Sequence, residues 1–266
     1  MEALMQVLES TMATRDPYTV GHQRRVSQIA CTVGREMGLS EDRLHNLRIA
    51  GTLHDLGKFA IPSDLLSKPG KLTPQEFALI KTHPQVAYNI LEPITLPGNT
   101  AQIILQHHER LNGSGYPQGL KGEEILLEAR ILGVADVMEA MCSHRPYRAS
   151  LGLSETLDEL NWNKGILYDA AVVETCLEIY GQDQDLPAPR QVSTIPAPRR
   201  GSMPLPPVSP GDGAWAQETF ARGRTLPQAA AGTWRHWTLP QRQRAWLHAG
   251  SASLLGWLIM ASVKGF

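Results

Sequence analysis

Apolar side chains recur at three- and four-residue intervals through the first 185 residues, and this spacing restricts the fold more than any other feature. Val26, Ile29 and Val33 form one such stripe, which is typical of a helix with one buried face. The run Thr73-Pro74-Gln75-Glu76 predicts a helix start with a capping box and a proline in the first turn. The pattern therefore predicts an all-α domain over residues 1–185, with further helices near residues 83–92, 99–108, 127–142, 152–160 and 169–181.

The composition changes after Asp185. The remaining 81 residues carry nine Lys/Arg against two Asp/Glu, whereas residues 1–185 carry sixteen against twenty-four. Residues 186–233 are rich in Pro and Arg and too poor in apolar residues to repay the entropy of ordering, which predicts a linker. The tail, residues 234–266, combines Trp and Arg with a short apolar run. A largely disordered extension is the favoured interpretation of the tail, and peripheral contact with an anionic membrane is the alternative.

Charge and cysteine usage exclude several classes of protein. The acidic first part lacks the basic face that a binder of duplex nucleic acid presents to the phosphates. The three cysteines are odd in number and widely spaced, which favours small core residues over a disulfide framework or a zinc cluster. The first residues show no basic region followed by an apolar run, so the sequence predicts a cytoplasmic protein.

Polar residues of two types interrupt the apolar stripes. His22 lies four residues before Val26, and Asp136 lies four residues after Leu132. Burying an unpaired carboxylate costs several kcal/mol unless a cation compensates its charge. One such residue alone is equally consistent with a core polar group that has a hydrogen-bond partner.

The set carries more information than its members. Seven His and Asp residues lie at or near the ends of predicted helices: His22, His54, Asp55, His83, His107, His108 and Asp136. Imidazole and carboxylate together suit iron, manganese, zinc or nickel. Seven ligands are too many for one tetrahedral zinc but suit two metal ions that share a carboxylate. The adjacent His107 and His108 can both serve only if a helix ends or is distorted there.

Two segments of the sequence resemble a known family. His54-Asp55-Leu56-Gly57-Lys58 matches the signature of HD-superfamily phosphohydrolases in its extended form, and residues 107–117 match the HHE…GYP signature of the HD-GYP subgroup. His83-Pro84, Asp136 and the segment Arg145-Pro146-Tyr147-Arg148 follow in the family's order and spacing. The resemblance covers roughly residues 5–180 and implies an HD-domain helical bundle with a two-metal centre.

The resemblance also implies a function. It indicates a phosphodiesterase that hydrolyses cyclic di-GMP to linear pGpG or to GMP by metal-activated water, with two divalent ions, iron first and manganese second. The resemblance implies that all seven His and Asp residues are metal ligands, that Asp55 bridges the two metal ions, and that Lys58 lies beside it in the catalytic site. Lys58, Arg145 and Arg148 become phosphate contacts, and Gly115, Tyr116 and Pro117 form a loop that shapes the substrate site.

Two departures and several alternatives accompany this interpretation. Tyr18 stands where some relatives carry a glutamate that supports a third metal, and Asn112 stands where an aspartate is common. One alternative is an HD phosphohydrolase that acts on another cyclic nucleotide. Another is a catalytically silent module that binds a ligand or a protein through the GYP loop. Protein partners at that loop and a homodimer stay open, and duplex nucleic acid is not expected.

Overall fold

Helices form the regular structure of the described part of the chain. The computed structural model describes residues 7–8, 11–12, 17–68, 70–143 and 150–181. Within these ranges there is no β-strand beyond two isolated bridges, so the prediction of an all-α domain is confirmed. Numbered from the first helix with both ends described, the helices are α1 (Pro17–Glu36), α2 (Glu41–Leu53), α3 (Ser63–Leu66), α4 (Pro74–Ile80), α5 (His83–Leu91), α6 (Thr100–Gln106), α7 (Leu127–Cys142), α8 (Leu153–Trp162) and α9 (Ala170–Tyr180). Short 3-10 turns span Leu56–Ala60 and Gly122–Glu124.

The helix starts follow the local chemistry of the sequence. Thr73 caps α4 with the predicted capping box: its hydroxyl accepts from the Glu76 amide at 3.2 Å, and its own amide donates to the Glu76 carboxylate at 2.7 Å. Ser40 occupies the N-cap of α2 but makes no side-chain cap bond. Glu41 and Asp42 in the first turn of that helix instead interact favourably with its dipole.

Helix α7 runs through the centre of the bundle. From Ala129 to Met141 every residue except Arg130 is buried, as expected of a helix surrounded by others. It packs against α1, α2, α6, α8 and α9. Its apolar residues join one core cluster that includes Val26, Leu47 and Ile104. A smaller cluster packs Tyr116 against residues of α3 and α4.

Several sequence predictions fall on residues that are not described. These are the linker 186–233, the tail 234–266, the boundary at 185, and the arginines Arg145 and Arg148. The side chain of Tyr18 lies outside the description as well. Among the helices that are described, none is both long enough and apolar enough to span a membrane.

Candidate metal centre

The seven predicted His and Asp side chains converge in one buried place. Five helices or helix ends supply them: α1 gives one, the end of α2 gives two, α5 gives one at its start, the end of α6 gives two, and α7 gives one. The residues are His22, His54, Asp55, His83, His107, His108 and Asp136, and each is at most 2% exposed. Because α6 ends at Gln106, the chain leaves the helix at His107, which is the break that adjacent histidine ligands require.

One side of the centre is formed by α1, α2 and α7. His22 Nε2 lies 3.2 Å from an oxygen of Asp136 and 3.8 Å from Asp55 Oδ2. His54 Nε2 lies 3.5 Å from the same Asp55 oxygen and 3.9 Å from Asp136. His22, His54 and Asp136 offer ligand atoms that all lie within 4.8 Å of one another, which is compatible with a single ion.

The other side of the centre is formed by α5 and the end of α6. His83, His107 and His108 offer a second group of ligand atoms within 4.8 Å of one another. His83 Nε2 lies 3.6 Å from Asp55 Oδ1, whereas Asp55 Oδ2 faces the first group. Asp55 therefore presents one oxygen to each group, which is the arrangement that a shared carboxylate between two ions needs.

Orientation of the imidazoles tests whether this set fits metal ions. The Nδ1 atoms of His54, His83 and His107 lie 2.8, 2.9 and 2.6 Å from the carbonyl oxygens of the residues three positions earlier. A carbonyl only accepts, so each Nδ1 is the donor and each Nε2 carries the free lone pair. These three Nε2 atoms and Nδ1 of His108 are buried without a hydrogen-bond partner among the described residues. Buried polar atoms are rarely left unsatisfied, and divalent cations bound at the two groups would satisfy these nitrogens.

The protonation states also suit metal binding. Burial lowers the pKa of His83 to about 4 and lowers the pKa values of His107 and His108 well below the usual range, so these rings are neutral at neutral pH. Burial raises the pKa of Asp55, but the positive charge of Lys58 is the largest opposing influence, and the pKa lies well below its usual range. Neutral imidazole and ionised carboxylate are the forms that coordinate metals.

Lys58 lies inside the centre. Its Nζ donates to Asp55 Oδ2 at 2.8 Å, and the side chain is almost fully buried. Lys58 is therefore not a solvated residue at a helix end. Contact with a substrate phosphate stays a prediction.

The GYP loop, residues 115–117, packs against His108. Tyr116 is 7% exposed and stacks on the His108 ring with centroids 4.8 Å apart, while Pro117 is exposed. The neighbouring Glu109 accepts hydrogen bonds from the amides of Gln118, Gly119 and Leu120 at 2.7 to 3.1 Å. Sequence reasoning assigned no role to Glu109, although it directly follows the two histidines. It holds the loop that carries Tyr116.

Two glycines allow the ligand-bearing segments to approach closely. A Cβ at Gly57 would lie 1.9 Å from the carbonyl oxygen of His83, and a Cβ at Gly133 would lie 2.6 Å from that of His107. Both distances are far below van der Waals contact, and the atoms they meet are backbone. Any side chain at these positions would therefore push a histidine away from the centre.

Sequence reasoning missed Glu139 and Arg25. Glu139 is completely buried on α7, and its carboxylate accepts from Nδ1 of His22 and from Nε of Arg25, the latter at 2.6 Å. The signal that singled out Asp136, an acid among apolar residues of one helix, applies equally to Glu139.

These features define a helical protein with a buried centre suited to divalent metals. A family model described as "HD domain" matches residues 6–172, and the chain belongs to that family. The match confirms the resemblance seen in the sequence.

Curated relatives align with the same region. The chain is 40% identical over 187 residues to a "Cyclic di-GMP phosphodiesterase" of Thermotoga maritima, covering 69% of this chain and 50% of the relative. It is 42% identical over 170 residues to the "Cyclic di-GMP phosphodiesterase response regulator RpfG" of Xanthomonas campestris pv. campestris, covering 61% and 44%. It is 35% identical over 158 residues to the "3'3'-cGAMP-specific phosphodiesterase 3" of Vibrio cholerae, covering 59% and 34%. The chain thus spans half or less of the length of these relatives.

Solved structures share the fold. A cyclic GMP-AMP-specific phosphodiesterase of V. cholerae aligns with a TM-score of 0.52 at 22% identity, over 68% of this chain and 48% of that chain. The HDG"Y"P protein Bd1817 of Bdellovibrio bacteriovorus aligns with a TM-score of 0.51 at 21% identity, over 60% and 51%. At these identities the likeness concerns the helical architecture alone.

Proposed function

We propose that this protein is a metal-dependent phosphodiesterase that hydrolyses cyclic di-GMP. The observation that carries the proposal is the buried convergence of two groups of ligand atoms around Asp55. Relatives that are named cyclic di-GMP phosphodiesterases support the substrate, at 38 to 42% identity.

Two ions would each take one of the two groups of ligand atoms. His22, His54 and Asp136 would hold one ion, His83, His107 and His108 would hold the other, and Asp55 would contact both. Divalent cations at these positions would polarise the phosphodiester and lower the pKa of a water molecule that they bind. Iron is the proposed metal and manganese the second candidate, because a mixed imidazole and carboxylate set suits both.

The chain's own residues would prepare the site for an anionic substrate. The backbone carbonyls that accept from Nδ1 of the histidines fix each ring, so that Nε2 is directed inwards without a competing proton. Lys58 places a buried positive charge at Asp55, where it can turn to a phosphate oxygen as negative charge develops there. Arg145 and Arg148 are proposed as further phosphate contacts.

Two rival functions are a different substrate and binding without catalysis. Relatives named 3'3'-cGAMP-specific phosphodiesterases, at 33 to 35% identity, make that dinucleotide the second candidate substrate. A silent binding module is less well supported, because all seven ligand residues are present. Binding of protein partners at the GYP loop, which contains Pro117, stays a prediction.

The test is anaerobic purification with metal analysis, followed by assays on cyclic di-GMP, 3'3'-cGAMP and cyclic di-AMP. We expect close to two transition-metal ions per chain and the fastest turnover with cyclic di-GMP. His54→Ala should lose metal and activity, whereas His45→Ala, at an exposed position on the same helix, should keep both. Faster cleavage of another dinucleotide would refute the substrate, and tight binding of cyclic di-GMP without any cleavage would favour the binding module.

A further inference from the structure

Glu139 connects His22 of the metal centre to Arg25 and Ser143. One carboxylate oxygen accepts from Nδ1 of His22, and the other accepts from Arg25 Nε at 2.6 Å and from the Ser143 hydroxyl at 2.5 Å. Asp136 and Glu139 lie three residues apart on one face of α7, and Ser143 is the C-cap residue directly after that helix. The carboxylate is completely buried, whereas the side chain of Arg25 is 28% exposed.

His22 differs from His54, His83 and His107 in where it lies. His54 and His107 are the residues at which α2 and α6 end, and His83 begins α5, so each can donate Nδ1 to a nearby backbone carbonyl. His22 lies inside α1, where the backbone carbonyls of the preceding turn accept from amides of the helix. Its Nδ1 therefore needs an acceptor from another helix, and Glu139 provides it.

We infer that Glu139 is a positioning residue that prepares His22 for metal binding. Because a carboxylate paired with a guanidinium accepts, Nδ1 of His22 carries the proton, and Nε2 faces Asp136 at 3.2 Å with its lone pair available. The negative charge behind the ring also makes it a stronger ligand, and loss of such a partner typically costs a factor of about 10 to 100 in metal affinity. This inference rests on the proposed two-ion centre.

The effect should be confined to one of the two ions. His22 belongs to the group with His54 and Asp136, while the second group is supplied by α5 and the end of α6. Removing the carboxylate should weaken the ion of the first group and leave the other nearly unchanged. A residue that merely supports the fold would affect both ions alike.

The test compares Glu139→Gln with Glu128→Gln. The amide keeps the shape of Glu139 but loses its charge, and its single oxygen cannot serve both His22 and Arg25. Glu128 is the matched control, since it lies on the same helix and accepts from an arginine, Arg43, at 2.6 Å outside the centre. Mn²⁺ is titrated into metal-free protein by calorimetry, and helix content is checked by circular dichroism.

Wild type and Glu128→Gln should each show two binding steps, and the affinity of each step should be the same in the two proteins. In Glu139→Gln the affinity of one of the two steps should be about 10- to 100-fold weaker. His22→Ala should weaken the same step, and combining it with Glu139→Gln should add little, because the carboxylate acts through the ring. If Glu139→Gln does not fold, Glu139→Asp, which withdraws the carboxylate by one methylene, should weaken the same step.

Four results separate the inferences. Unchanged binding in a folded Glu139 variant would overturn the role of Glu139, as would equal weakening of both steps. Additive losses in the double variant would also overturn it, because Glu139 would then act independently of His22. A wild-type protein that binds fewer than two ions would instead refute the proposed two-ion centre itself.

Discussion

Replacing Gly57 by alanine tests how closely the centre depends on backbone packing. Gly57 lies two residues after Asp55, in the turn Leu56–Ala60. Its added Cβ would lie 1.9 Å from the carbonyl oxygen of His83 and 2.8 Å from the amide nitrogen of Ala87. Ordinary contact begins near 3.4 Å, so the turn and α5 must separate by about 1.5 Å. Both atoms belong to the backbone of one helix and cannot turn aside.

The separation acts directly on two proposed ligands. Asp55 directly precedes the turn that contains Gly57, and His83 begins α5. The atoms Asp55 Oδ1 and His83 Nε2 are 3.6 Å apart, so separation of the turn from α5 would move them apart. Overpacking of this kind costs about 1–3 kcal/mol of folding stability. A displacement near 1 Å at a reacting centre costs about a factor of 100 in rate. We therefore expect Gly57→Ala to be less stable, to bind metal weakly and to lose at least that factor in activity.

The assay combines chemical denaturation of the metal-free protein with metal analysis and turnover of cyclic di-GMP. Gly21→Ala is the control, because Gly21 lies inside α1 and, among the described residues, its Cβ would meet only an Arg25 nitrogen at 3.4 Å. This control should gain about 0.5–1 kcal/mol from helix propensity and keep its metal. Wild-type stability and metal content in Gly57→Ala would refute the packing argument.

Three further predictions address the bridge, a partly buried acid and the substrate. Asp55→Ala should reduce the content of both ions and abolish hydrolysis, because its two oxygens face both groups; full activity would contradict the shared carboxylate. Burial raises the pKa of Glu159 to about 7 although Asn163 donates to it. The Glu159 carboxyl thus stays protonated to a higher pH in the folded protein than in the unfolded chain. Its contribution to the free energy of unfolding is fully present below about pH 4 and is lost as the pH rises towards 7. In thermal unfolding, Glu159→Gln should be more stable than wild type at pH 8 by about 1 kcal/mol, after allowance for the partial exposure of the side chain. At pH 4 the two proteins should be equally stable, and a gain in stability that does not depend on pH would contradict the argument. Arg145→Ala should keep both ions but lower turnover of cyclic di-GMP by about 10- to 100-fold, and unchanged kinetics would remove Arg145 from the proposed site.

Local chemistry made the helices and the candidate ligands predictable from the sequence. Helical periodicity and caps depend on neighbours in the chain, so the start of α4 at its capping box and the extent of α7 follow from the residues present. The same reasoning identifies a histidine or an aspartate on an apolar stripe as a candidate ligand. It also requires a helix end or a distortion at His107 and His108 if both are ligands, and α6 ends at Gln106.

The tertiary structure decided which side chains oppose one another. Glu139 reaches His22 across 117 positions of sequence, Asp55 divides its oxygens between two groups of histidines, and Tyr116 is buried against His108. A stripe shows which face of a helix is buried but not which residue of another helix lies opposite, because that depends on the packing of α1 against α7 and of α5 against the turn after α2. For the same reason Gly57 is only part of a motif in the sequence, and the carbonyl of His83 explains why it has no side chain.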